Sequence, residues 1–145
     1  MRRDPRLQGL SSDHHHALVL ARRIGRAASE GTADEALAES VWRTYQDELR
    51  PHFETEETFL LPALLEAGAE NIVARTESEH RAMLGLLERA RSGDLDALGE
   101  FGTMLTTHVR FEERELFPLC EEKLSGAVLD ALGEHWRAPR ERDPG

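Results

Sequence analysis

His52 and Glu56 stand four residues apart, and so do His108 and Glu112. On an α-helix that spacing stacks two side chains on one face, one turn apart. An imidazole and a carboxylate placed in this way can donate to one cation, and two such pairs could hold more than one. The repetition extends beyond the pairs. The string HFETEETFLLP begins at His52 and HVRFEERELFP at His108. Each reads His, three residues, Glu-Glu, two residues, Leu, an apolar residue, Pro. A further likeness within the chain aligns SDHHHALVLARR with SEHRAMLGLLER, which sets His14 over His80. The chain thus reads as two helical hairpins of one plan.

The elements that must position these groups are helices. Apolar residues recur with helical periodicity, and neither alternating β-branched runs nor Asn-Gly and Asp-Gly turns occur. Cap and glycine signals predict helices over about residues 12–29, 34–67, 71–92 and 95–124, with a short fifth piece at 127–136. Ser12 and Asp13 are cap candidates for the first, Thr32 for the second and Asp94 for the fourth. Pro51, Pro62 and Pro118 fall inside the second and fourth helices, where proline removes a backbone donor and favours a kink or break. The short connections make neighbours antiparallel. The expected fold is all-α, an up-down-up-down four-helix bundle with a short C-terminal helical extension. It reads as a single domain over 1–145, with a core of about 10–124 and loose tails at 1–9 and 137–145.

Rotation by about 100° per residue places His14 on the apolar stripe of the first helix with Leu10, Ala17, Leu18, Ala21, Ile24 and Ala28. His15 falls on the arginine side and His16 on the flank. The second stripe is Tyr45, Leu49, His52, Glu56, Phe59 and Ala63. The third is Ile72, Val73, His80, Met83, Leu84 and Leu87, and the fourth Phe101, Leu105, His108, Glu112 and Leu119. At 1.5 Å of rise per residue, His14 and His52 lie roughly 24 and 28 Å above their shared turn, and His80 and His108 roughly 20 Å above theirs. All six groups therefore reach one level of the bundle. Any one of these histidines could be an ordinary core residue bonded to a neighbour. Four imidazoles and two carboxylates gathered inside a bundle would cost several kcal/mol per unpaired ion, which a cation offsets. Donors without thiolate suit iron, manganese or zinc. Two carboxylates between two histidine pairs suit two bridged metals, with iron or manganese favoured over four-coordinate zinc. Glu48 and Glu115, one turn from these donors, are candidates to orient the imidazole N–H groups.

Bulk composition excludes other classes. The net charge of -10 argues against nucleic acid as the main partner. Cys120 is the only cysteine, so no internal disulfide or cysteine-based zinc site exists, which suits a reducing cytoplasm. By rotation it lies off the inner stripe, as a packing residue. No apolar run reaches the length of a membrane span, and the N-terminal stretch lacks the apolar block of a secretion signal.

These residues together resemble the hemerythrin family in its bacterial HHE cation-binding form. The pattern is one His on the first helix, His-x-x-x-Glu on the second, one His on the third and His-x-x-x-Glu on the fourth. The resemblance implies a non-haem di-iron centre, two irons per chain, with bridging carboxylates and an oxo or hydroxo bridge. Carried over by position, His14, His52, His80 and His108 would be terminal ligands and Glu56 and Glu112 bridges. Oxygen-carrying members have a further histidine one turn after the third-helix ligand, where this chain has Leu84. Their last carboxylate falls at the position of Glu113, which leaves Glu113 as the alternative to Glu112, just as His15 and His16 are alternatives to His14. The implied ligand is small: O2, peroxide or nitric oxide. A metal- or redox-responsive module read by a partner protein is the second expectation, and a bundle without metal the third.

Overall fold

The computed structural model describes residues 3–142, and the side chains of residues 3–136. They form five helical rods joined by short turns, with no strand among the described residues. The first rod is Gln8–Glu30 and the second covers residues 35–66. The third is Glu70–Arg91, the fourth covers residues 95–123, and the fifth is Gly126–Arg142. Gly31, Gly68 and Gly93 close the first three turns at φ of 69°, 89° and 113°, a region that a Cβ makes costly. Asp34 caps the second rod by accepting from the Leu37 N–H at 2.8 Å, and Asp94 the fourth by accepting from the Ala97 N–H at 3.2 Å. Thr32, the expected cap, instead turns its hydroxyl back to the Ala27 carbonyl.

The first rod starts a turn before Ser12, so Ser12 and Asp13 lie inside it rather than capping it. Residues 3–9, expected as a loose tail, are tied down. Arg3 pairs with Glu121 at 2.6 Å and Glu113 at 3.2 Å, the Asp4 N–H donates to Glu121, and Leu7 is fully buried. Of the other expected tail, residues 137–142 continue the backbone of the fifth helix. Residues 1–2 and 143–145 lie outside the described residues.

The first rod packs along the fourth, the fourth along the third, and the third along the second. The His14 and His52 rings, 5.1 Å apart, and an Arg23–Ser40 hydrogen bond join first to second. This closes an up-down-up-down four-helix bundle. The three prolines inside the second and fourth rods break neither. Each follows a single π-helical turn by two residues: Tyr45–Leu49 before Pro51, Glu56–Leu60 before Pro62, Glu112–Leu116 before Pro118. In each turn an N–H reaches back five residues, as Leu61 does to Glu56 and Phe117 to Glu112. The wider turn accommodates the proline ring, which in a regular helix would meet the carbonyl four residues before it.

A π-turn holds one extra residue, so the inward face shifts by one position beyond it. The buried residues after Glu56 are Leu60, Leu61 and Leu64, while the expected Phe59 and Ala63 are partly exposed. After Glu112 they are Leu116, Phe117 and Cys120, while Leu119 is partly exposed. Cys120 is therefore in the core and not off the stripe, and burial pushes its thiol pKa well up.

Buried apolar residues form two clusters. One contains Ile24, Val41, Met83, Leu87, Phe101 and Leu105, and the other Leu10, Leu60, Leu64, Leu116 and Phe117. The fifth helix adds Leu129 and Leu132 to the second cluster, and Trp136 lies on Gly9, where any Cβ would collide with the indole. Between the clusters lies a polar layer.

Candidate metal centre

Eight buried polar or charged residues are described, and six of them are His14, His52, Glu56, His80, His108 and Glu112. None is more than 6% exposed. One His sits on the first rod and one on the third. The second and fourth rods each supply a His and a Glu from the turn just before or at the start of a π-turn. The i,i+4 spacing sets His52 Nε2 3.1 Å from Glu56 Oε2 and His108 Nε2 3.1 Å from Glu112 Oε2. Glu56 Oε1 is also 3.1 Å from His80 Nε2, and Glu112 Oε1 2.7 Å from His14 Nε2.

The donor atoms fall into two groups, each within 4.8 Å of one another: His14, His52, Glu56 and Glu112, then Glu56, His80, His108 and Glu112. Both glutamates belong to both groups. Phe117 stacks on His14 with centroids 5.2 Å apart, and Phe53 stacks on His80 at 4.1 Å, so apolar rings border the layer.

Each imidazole also has an outward bond. Nδ1 of His14 donates to Glu113 at 2.6 Å, of His52 to Asp13 at 3.1 Å, of His80 to Glu57 at 2.7 Å, and of His108 to Glu79 at 2.7 Å. Donation from Nδ1 to a carboxylate leaves the Nε2 lone pair facing inward. There Nε2 of His52, His80 and His108, both Glu56 oxygens and Glu112 Oε2 have no hydrogen-bond partner although buried. Lone pairs brought to about 3 Å in a dry interior repel unless a positive charge lies between them. Two donors at about 2.1 Å from a common cation and at right angles would themselves be roughly 3 Å apart. The residues present fit bound cations.

Electrostatics agrees. Burial opposes a charged His108, yet Glu112 beside it, then Glu79, outweigh that and lift its pKa to about 10. His14 and His52 are raised in the same way, against burial, by the carboxylates they face. Burial would raise Glu112, but His108, His14 and His52 hold it well below the usual carboxylate range. Glu113 is lowered to about 2 despite burial, by His14, Ser11 and Arg3. The layer attracts positive charge strongly.

The family description "Hemerythrin HHE cation binding domain" matches residues 7–120. The chain belongs to the hemerythrin HHE family. No curated protein and no solved structure gives a match. As an HHE domain the chain binds cations, and its buried His/Glu cluster is the candidate place.

All six residues singled out from the sequence of this HHE domain come together in the layer. His15 and His16 are exposed on the outside of the first rod. Glu113 is turned from the centre and meets it only through His14. Leu84 packs against the first apolar cluster and adds no donor, so each group has two imidazoles and two carboxylates. Glu48 and Glu115, the expected orienting groups, are both on the surface, and Glu115 meets Arg75. The groups that do orient the imidazoles are Asp13, Glu57, Glu79 and Glu113. A signal for them was present: two directly precede a histidine and two are the second Glu of the doubled Glu-Glu.

Proposed function

We propose that the chain is a non-haem di-iron protein of hemerythrin type that binds or reacts with a small ligand (O2, peroxide or nitric oxide). His14 and His52 would be terminal ligands of one ion, His80 and His108 of the other, with Glu56 and Glu112 bridging. The observation that carries the reading is that both four-donor groups share the same two glutamates. Separate mononuclear sites would not need to share them.

A bound iron pair supplies electrons and an open position for a small ligand. The chain's own residues hold the imidazoles in one tautomer, keep the Glu112 carboxylate ionised and border the layer with Phe53 and Phe117. Leu84 leaves each ion with four protein donors at most, which favours an open position over saturation. A cleft of about 780 Å³, lined by Asp13, Glu48, Thr55 and Trp136 among others, reaches His52. Manganese and zinc fit the same nitrogen and oxygen donors and are the alternatives to iron.

The test is metal analysis of protein purified without oxygen, followed by addition of O2, peroxide or nitric oxide to the reduced form. Two irons per chain and a ligand-dependent visible spectrum are expected. A metal-free protein, or one holding a single ion unaffected by His52→Ala, would refute the proposal. Repeated consumption of peroxide would add turnover to binding.

A further inference from the structure

The four outward bonds form an ordered ring. Asp13 on the first rod accepts the N–H of His52 on the second. Glu57 on the second accepts that of His80 on the third. Glu79 on the third accepts that of His108 on the fourth, and Glu113 on the fourth accepts that of His14 on the first. Each rod thus supplies one carboxylate to the imidazole of the next rod in the chain, and the last returns to the first.

The ring also sorts by cation position. Asp13 and Glu113 serve His52 and His14, which belong to one four-donor group. Glu57 and Glu79 serve His80 and His108, which belong to the other. No outward carboxylate serves both groups, whereas both inner glutamates do. Two members are themselves braced. Glu113 also accepts from Ser11 at 2.6 Å and pairs with Arg3. Glu79 pairs with Arg75 at 2.9 Å, and that guanidinium lies 4.0 Å over the Phe111 ring that flanks His108.

We propose that Asp13, Glu57, Glu79 and Glu113 are position-selective positioning residues: each holds one imidazole in the tautomer that donates to one of the two cations, and each pair tunes its own cation position. This rests on the two-cation reading above. A hydrogen bond from the distal ring nitrogen to a carboxylate fixes ring orientation and raises ligand basicity, and losing it weakens metal binding by about 10–100-fold. Here the loss should fall on one position and spare the other, because the inner glutamates that link the positions stay untouched.

The experiment titrates the metal-free protein with Co(II), first wild type, then Asp13→Ala, Glu57→Ala, Glu79→Ala and Glu113→Ala. Wild-type uptake of two equivalents tests the underlying reading separately. If it takes up none, that reading fails before any variant is compared. Each variant should lose about 10–100-fold in affinity for one equivalent and keep the other within about threefold. Proton NMR of the Co(II) protein shows which ring is involved, since a ring N–H held by a carboxylate exchanges slowly and is shifted by the metal. Glu57→Ala should lose the His80 N–H signal alone, and Glu57→Gln, which retains an acceptor, should restore it. Glu57 is the safest site for folding, its side chain being 46% exposed. If each alanine variant weakens both equivalents alike, or the four ring N–H signals survive unchanged, the assignment is wrong.

Discussion

A single carboxylate carries more of the centre than any histidine does. Glu112 lies 2.7 Å from His14 Nε2, 3.6 Å from His52, 4.0 Å from His80 and 3.1 Å from His108. Each histidine belongs to one donor group and Glu112 to both. Glu112→Ala should therefore abolish uptake of both cations, while His14→Ala should cost one and leave the second measurable. Equilibrium dialysis with iron or Co(II) reads the stoichiometry, and equal losses in the two variants would contradict shared bridging. The six inner residues were legible in the sequence because a face of a regular helix needs only periodicity. That logic selects His14 from three adjacent histidines and Glu112 over Glu113. The outward carboxylates were not legible as partners. Rotation shows that Glu57 points away from the core but not that it meets an imidazole on the next rod. Choosing Glu48 and Glu115 assumed that support comes from the same helix.

At the scale of elements, helix number and order follow from periodicity and glycine, but the faces beyond each π-turn do not. A proline inside a helical pattern signals a disturbed backbone bond without saying whether the rod kinks or takes up an extra residue. Here it does the latter, and that turns Glu115 outward while bringing Leu116, Phe117 and Cys120 in. Removing the extra residue should restore a regular helix and keep both flanking faces in place. Deleting Thr58 or Arg114, both exposed and within π-turns, returns Pro62 or Pro118 to a regular helix at a cost of about 3 kcal/mol, so the protein should still fold cooperatively with its Tm lowered by about 10 °C. Deleting Met104, in the regular part of the fourth rod, turns every later side chain by about 100° and should abolish the cooperative transition. Thermal melts by circular dichroism decide this, and unfolding in all three deletions would show that the π-turns hold no spare residue. The fifth helix is part of the same packing. Leu132 is fully buried against the second cluster, so Leu132→Ala should cost about 2–5 kcal/mol in chemical denaturation.

For the whole molecule, the question is how a chain with a net charge of -10 keeps two glutamates at 0% exposure midway between two apolar clusters. The protein's own groups answer by holding protons on imidazoles: His108 is lifted to about 10, and His14 and His52 are raised too. The sign of the linkage follows. A group whose folded pKa is raised stabilises the metal-free chain fully below its unfolded value of 6.5, and that stabilisation is lost as pH rises through about 10. A cation needs the same Nε2 lone pairs, so it must displace those protons, and its affinity must move with pH in the opposite sense. From pH 6.5 to 10, affinity should rise about tenfold per pH unit for each proton displaced. Uptake at pH 7 should release at least one proton per chain, from His108. Calorimetric titration with Co(II) in buffers of different ionisation enthalpy measures that number directly. The chelated protein should in turn lose stability from about pH 6.5 to 10, where the loaded protein should not, because its imidazoles are already deprotonated and held. Uptake without proton release at pH 7 would mean that His14, His52 and His108 do not share their inner nitrogens between proton and cation.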